Sequence, residues 1–168
     1  AITMDIGEEL SIHPAKKKEV ADRLLFNALN QTYGYKTIVG AGPIYDSLEQ
    51  EDDGLVLKFK NADNGVYSYD GLTSFEIAGA DRVFYPADAK IVKGKNVLVK
   101  SDKVAKPVAV RYAWKNWVMG TLYNTDLLPA SSFRTDSWDN ATQAKIYDVC
   151  PVKHLSIKNC NYRVTSSA

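Results

Sequence analysis

Two periodicities divide the chain. From Lys16 to Gln31, the residues Val20, Ala21, Leu24, Leu25, Ala28 and Leu29 recur at spacings that stack them on one face of a helix. Pro14 is placed to be a first helical residue, where its missing N–H has no intrahelical partner to lose. Gly34 supplies the stop, with Lys36 just beyond. Ahead of this helix, Ala1-Ile2-Thr3-Met4-Asp5-Ile6-Gly7 reads as a short buried strand of branched residues closed by glycine. The order strand, loop, helix belongs to open α/β sheets, whose catalytic groups sit in loops at the carboxyl ends of strands.

Beyond Ile38 the period shortens to two, and the clustered Gly40-Ala41-Gly42-Pro43 marks a boundary. Ile44 to Glu49 predicts a first strand and Asp52-Asp53-Gly54 a turn. Leu55, Leu57 and Phe59, set among Lys58 and Lys60, predict a hairpin partner with one dry face. Asn61 to Gly65 turns the chain again. Further strands are predicted where Phe75 and Ile77 bracket Glu76 ahead of Gly79, at Arg82 to Tyr85, at Ala89 to Val92, and at Val97 to Val99 after the polar turn Lys93-Gly94-Lys95-Asn96. Val108 to Trp114 is the most strand-like run of all. Short strands at this spacing point to a sandwich of antiparallel sheets. The expected fold class is α+β, mainly β, with an α/β piece over residues 1–40, an antiparallel β domain over 41–138 and a C-terminal extension over 139–168.

Composition narrows the function classes. At 168 residues, 45% hydrophobic and 24% charged, the chain matches an ordinary globular domain, or one domain plus a remnant. A net charge of +1 creates no long-range field, which argues against nucleic acid or an anionic membrane as a partner. No apolar run approaches the length of a membrane span. The two cysteines, Cys150 and Cys160, could close a small disulfide loop in an exported protein, and their count alone leaves that open. A metal site there is disfavoured, because His154 is the only nearby imidazole and no paired Cys motif accompanies it.

Candidate chemistry centres on His13, one of two histidines, at the predicted handover from strand to helix. The run Asp5-Ile6-Gly7-Glu8, then Ile12-His13-Pro14, then Lys18 to Leu24 resembles the catalytic-histidine block of the sialate O-acetylesterases, serine esterases of the SGNH or GDSL group. The similarity continues in order through Tyr33-Gly34, Gly42 to Tyr45, Gly71-Leu72 with Phe75 to Gly79, Phe84 to Ala89, Val110 to Trp114, Leu122 to Asn124, Leu128 to Ser131 and Phe133 to Asp136. The resemblance implies hydrolysis of O-acetyl esters on sialic acid or a related sugar. It also implies that residues 1–40 are the last strand, histidine loop and helix of a flavodoxin-like α/β domain. His13 would act as the general base on a serine, taking its proton on attack and returning it to the leaving alcohol. An imidazole does this well near neutral pH.

The nucleophile block of that family has no counterpart in these residues, so the chain reads as the C-terminal part of a longer esterase and is expected to be inactive alone. The partner implied is the N-terminal part of the catalytic domain, the substrate an acetylated sugar, and no cofactor or metal is called for. The family is commonly secreted or periplasmic, or lysosomal in eukaryotes. Leu10 and Ser11 occupy the places nearest His13 where an orienting Asp is common in this group. Asp5, Glu8 and Glu9 are the carboxylates close in sequence, and a Ser-His dyad oriented by a backbone carbonyl is equally admissible. The bland alternative for His13 is a loop residue that packs against the helix start. The competing class for the whole chain is a non-catalytic β accessory or carbohydrate-binding module.

Other features are secondary. Arg111-Tyr112-Ala113-Trp114-Lys115-Asn116-Trp117 could contact a carboxylated sugar, but alternation puts Val110, Tyr112 and Trp114 together as core or interdomain packing. That leaves Trp117 as the expected exposed ring and Arg111 for an interface role. Lys16-Lys17-Lys18 reads as a solvated face, and Asp52-Asp53 with Glu49 and Glu51 as turn chemistry without calcium-loop spacing. Asn30-Gln31-Thr32 and Asn140-Ala141-Thr142 fit the glycosylation acceptor pattern, relevant only in a eukaryotic secretory host.

Overall fold

The computed structural model describes residues 1–52, 54–138 and 142–143. Its strands among those residues are β1 (Ile44–Glu51), β2 (Gly54–Lys60), β3 (Val66–Tyr67), β4 (Phe75–Ala78), β5 (Val83–Pro86), β6 (Asp88–Val92), β7 (Asn96–Lys100), β8 (Ala109–Tyr112), β9 (Tyr123–Asn124), β10 (Phe133–Arg134) and β11 (Thr142–Gln143). One sheet runs β1-β2-β7-β6 and a second β10-β8-β4-β5-β11, with β3 and β9 paired apart. Every pairing is antiparallel except β11 on β5. The predicted mainly-β fold with antiparallel sheets is what forms.

The two larger sheets share one core. Leu55 and Leu57 of β2 and Val97 and Val99 of β7 meet Phe75 and Ile77 of β4 and Val110 and Tyr112 of β8, all buried. Each such aliphatic or Phe side chain contributes roughly 1.5–3 kcal/mol of transfer free energy. Phe133 of β10 bridges the layers, stacked 5.2 Å from Tyr45 of β1 and edge-on to Phe59 of β2 at 5.8 Å. Along β7 burial alternates as a half-covered strand should. On β2 it does not, because Val56 is also buried and pairs across with Leu98.

Loops around the sandwich are held by Asn124. This buried side chain donates to the carbonyls of Ala41, at 3.2 Å, and Asn61, at 3.4 Å. Its Oδ1 accepts the N–H groups of Asp126 and Leu128. One amide therefore satisfies four backbone groups from three stretches of chain, which is as much as its chemistry permits.

Residues 1–40 differ from expectation in two respects. Ala1 to Gly7 forms a turn rather than a strand, with Ile6 N–H donating to Thr3 O at 3.2 Å. The reason is that its backbone partners lie elsewhere: the Met4 carbonyl accepts Gly120 N–H, and the Ile2 carbonyl accepts Arg23 Nη1. Met4 itself packs against the sandwich core. Pro14 is also not the first helical residue. The helix α1 (Lys17–Asn27) starts after Lys16, which caps it without a side-chain bond, while Pro14 lies in the approach. A five-residue π turn, Ala28–Thr32, extends α1. Gly34, in the left-handed region at φ +77°, then ends it as the sequence predicts.

The apolar face of α1 is present but, among the described residues, only partly covered. No residue of α1 is buried, and Leu24 and Leu25 are both more than half exposed.

Candidate functional site

The loop before α1 is built from its own polar groups. Ser11 N–H donates to Glu8 O at 3.4 Å, His13 N–H to Ser11 Oγ at 3.1 Å, and Ala15 N–H to Glu8 Oε1 at 2.8 Å. Glu8 thus closes the loop at both ends. His13 is carried outward on it, exposed, just after Leu10 at 98% and Ile12 at 90% exposure. Among the described residues no hydroxyl or carboxylate is hydrogen-bonded to its imidazole.

The three neighbouring carboxylates do other work. Asp5 forms a bidentate pair with Arg23, both oxygens at 2.7 Å, in a setting where both side chains are largely buried. That pair ties α1 to the N-terminal turn. Glu8 is committed to Ala15 N–H, and Glu9 is exposed. Neither Asp5 nor Glu8 is hydrogen-bonded to the His13 imidazole. What this loop can do chemically is present an imidazole to a partner outside it.

The Arg111 to Trp117 stretch is split by its backbone. Val110 and Tyr112 are core, as alternation predicts, but Trp114 is 44% exposed. The cause is Ala113, which adopts φ +50°, and Ser74 across from it, at φ +64°. Ala113 N–H donates to Ser74 O at 2.8 Å, so the two left-handed residues are locked together at one end of β4 and β8. Non-glycine residues held this way cost on the order of 1–3 kcal/mol each. The kink ends the alternation and turns the next side chain out, which no glycine or asparagine at 113 announced. Trp117 is exposed as expected.

Arg111 is not a free recognition group. It makes a bidentate pair with Asp136, and its guanidinium lies 4.1 Å from the centroid of Phe84. Burial raises the Asp136 carboxyl, but the Arg111 pair, Trp138 N–H and the charges of Arg111 and Arg134 more than offset this and hold it below its ordinary value. Lys18 of the basic run pairs with Asp22 one turn on. Asn30 of the first glycosylation pattern donates its amide to Ile38 O at 2.7 Å. Cys150, Cys160, His154 and Asn140 lie outside the described residues. Among the described residues no cluster of His, Cys, Asp or Glu could hold a metal ion, and no helix is long and apolar enough to cross a membrane.

No family model and no curated protein matches the chain. Among solved structures, one match is to a crystal structure described as a novel carbohydrate acetylesterase from Xanthomonas citri. The chain is similar to a carbohydrate acetylesterase. Identity is 40%, the TM-score 0.73, and the match covers 80% of this chain. It covers 31% of that chain, so these residues span under a third of the Xanthomonas enzyme. The likeness is to a carbohydrate esterase in general and carries no mark of sialate specificity.

Proposed function

We propose that this chain is the portion of a carbohydrate O-acetylesterase that carries the general base, His13, and a β accessory section. The substrate is an O-acetyl ester of sialic acid or a related acetylated sugar. The serine nucleophile comes from a segment outside these residues. The single observation that carries this reading is the 40% identity to a carbohydrate acetylesterase across 80% of the chain.

Two features of the surface support it. His13 stands exposed on a self-braced loop, as a base awaiting a hydroxyl from another segment must. The exposed Leu24, Leu25 and Phe26 of α1 supply an apolar flank for the rest of an α/β domain to cover. In the assembled site His13 accepts the serine proton as the oxygen attacks the acetyl carbonyl. It returns that proton to the departing sugar hydroxyl, and then activates the water that releases acetate. An exported setting, periplasmic or secreted, accompanies this reading.

The test is a chimera in which this chain replaces the matching segment of the Xanthomonas citri enzyme, assayed for acetate release from acetylated sugars. The chimera should turn over, and His13→Ala should lower kcat/KM by roughly 10²–10⁴-fold. The 168-residue chain by itself should release no acetate. A folded chimera without activity, or one indifferent to His13→Ala, would refute the assignment.

A further inference from the structure

We infer that the β section has its own sugar-stacking site, centred on Trp114, for one neutral pyranose ring of a polysaccharide chain. The inference rests on the esterase reading only for its ligand class; the site itself is argued from geometry.

The Ala113 and Ser74 pair turns Trp114 out of the sheet and into an open hollow of about 370 Å³, lined by Ala113, Trp114, Lys115, Asn116 and Ser132. That volume falls at the small end of the range for small-molecule sites, roughly 300–1,000 Å³. Arg134 rests its guanidinium over the indole, 5.4 Å from the ring centroid, which fixes the ring while leaving it 44% exposed. A pyranose presents a flat face of C–H groups edged by hydroxyls. A held indole beside an amide and a hydroxyl, here Asn116 and Ser132, complements both parts.

The charges decide between neutral and acidic sugars. Lys115 Nζ sits 3.6 Å from Glu76 Oε1, and Arg134 is engaged with Trp114 and the Trp138 carbonyl. Both cations nearest the hollow are already committed within the protein, so the site has no dedicated receptor for a sugar carboxylate. A docking surface for another protein would present a broader apolar rim, whereas this rim is polar.

The 168-residue chain should be titrated with xylohexaose, cellohexaose and mannohexaose, with N-acetylneuraminic acid as the acidic comparison, following the Trp indole N–H resonances by NMR. At least one neutral hexasaccharide should move the Trp114 signal saturably. Trp114→Ala should weaken that binding at least tenfold without altering the far-UV CD spectrum, Trp114→Phe should retain part of it, and Trp117→Ala should leave it unchanged. Silence with all three neutral probes, binding that survives Trp114→Ala, or binding of N-acetylneuraminic acid alone would overturn the inference. Because the assay needs no nucleophile, an inactive chimera with intact sugar binding refutes the esterase assignment alone. An active chimera without Trp114-dependent binding refutes this site alone.

Discussion

Arg111 and Asp136 meet in a two-pronged ion pair, Nε to Oδ2 at 2.9 Å and Nη2 to Oδ1 at 2.8 Å, with the carboxylate closed off from solvent. Through it β8, an inner strand of the second sheet, grips the segment that follows β10. Removing one member strands the other charge, a loss of about 3–5 kcal/mol for a buried pair. Asp136→Ala should therefore shift the urea midpoint sharply downward, and a double variant Arg111→Met with Asp136→Leu should recover much of the loss. A midpoint unchanged in Asp136→Ala would show that the pair contributes nothing.

The same pair sets the acid limit. The Asp136 carboxyl lies below its ordinary value of 3.8 in the folded protein, so the unfolded chain takes up its proton first as pH falls. The contribution is complete above the ordinary value and is lost as pH drops through the lower, folded one. The stability gap between the parent and Asp136→Asn should be constant from neutral pH down to about pH 5 and narrow progressively below 3.8. Denaturant titrations at a series of pH values would reveal a gap that failed to narrow.

Stability should be uneven along the chain. No residue of the eleven-residue helix α1 is buried as a whole, and a helix of that length is below what holds in isolation in water, about 12–15 residues. Its chief anchor is the Arg23–Asp5 pair. Amides of residues 17–32 should exchange at least about a hundredfold faster than those of Leu57, Val97 and Val110, and Arg23→Ala should widen the difference. Equal protection by hydrogen-exchange mass spectrometry would contradict this.

Tyr112 stabilises with its hydroxyl as well as its ring. The oxygen accepts Thr121 N–H at 2.8 Å and Leu122 N–H at 3.0 Å, while the ring packs 4.7 Å from Phe75. Tyr112→Phe keeps the packing and orphans both amides, at a cost of roughly 1–3 kcal/mol. A thermal melt indistinguishable from the parent would mean those amides find other partners.

Gly42 is a contact glycine. A Cβ there would fall on the Pro129 carbonyl oxygen and 2.5 Å from that of Leu128, and backbone cannot rotate away as a side-chain tip can. Gly42→Ala should cost at least the 1–3 kcal/mol or so typical of overpacking. Gly7→Ala, whose nearest neighbour is Thr3 O at 3.9 Å, should be almost silent on the same melt.

Apart from the short β3, the strands from Ile44 to Tyr112 were readable from local signals: alternation at Val97 and Val99, a glycine turn before Leu55, a polar turn before Asn96. The helix was readable from Val20 to Leu29 for the same reason. What spacing cannot convey is whether an apolar face meets a partner, and Leu24 and Leu25 stay more than half exposed among the described residues. The segment Ala1 to Gly7 failed as a strand because strandhood needs a neighbour, and its carbonyls are drawn to Arg23 and Gly120 instead. Trp114 escaped because a left-handed alanine has no compositional signature. His13 was visible as a candidate in the sequence, but the roles of Asp5 and Glu8 depend on contacts 18 and 7 residues away.

Asn124 sews three loops together with one amide, and this makes chemical ageing a structural event. Hydrolysis to Asp would replace the donor nitrogen with an oxygen and set it against the carbonyls of Ala41 and Asn61, turning two attractions into repulsions. At that one side chain, a single lost ammonia would loosen the seam where the helical piece joins the sandwich.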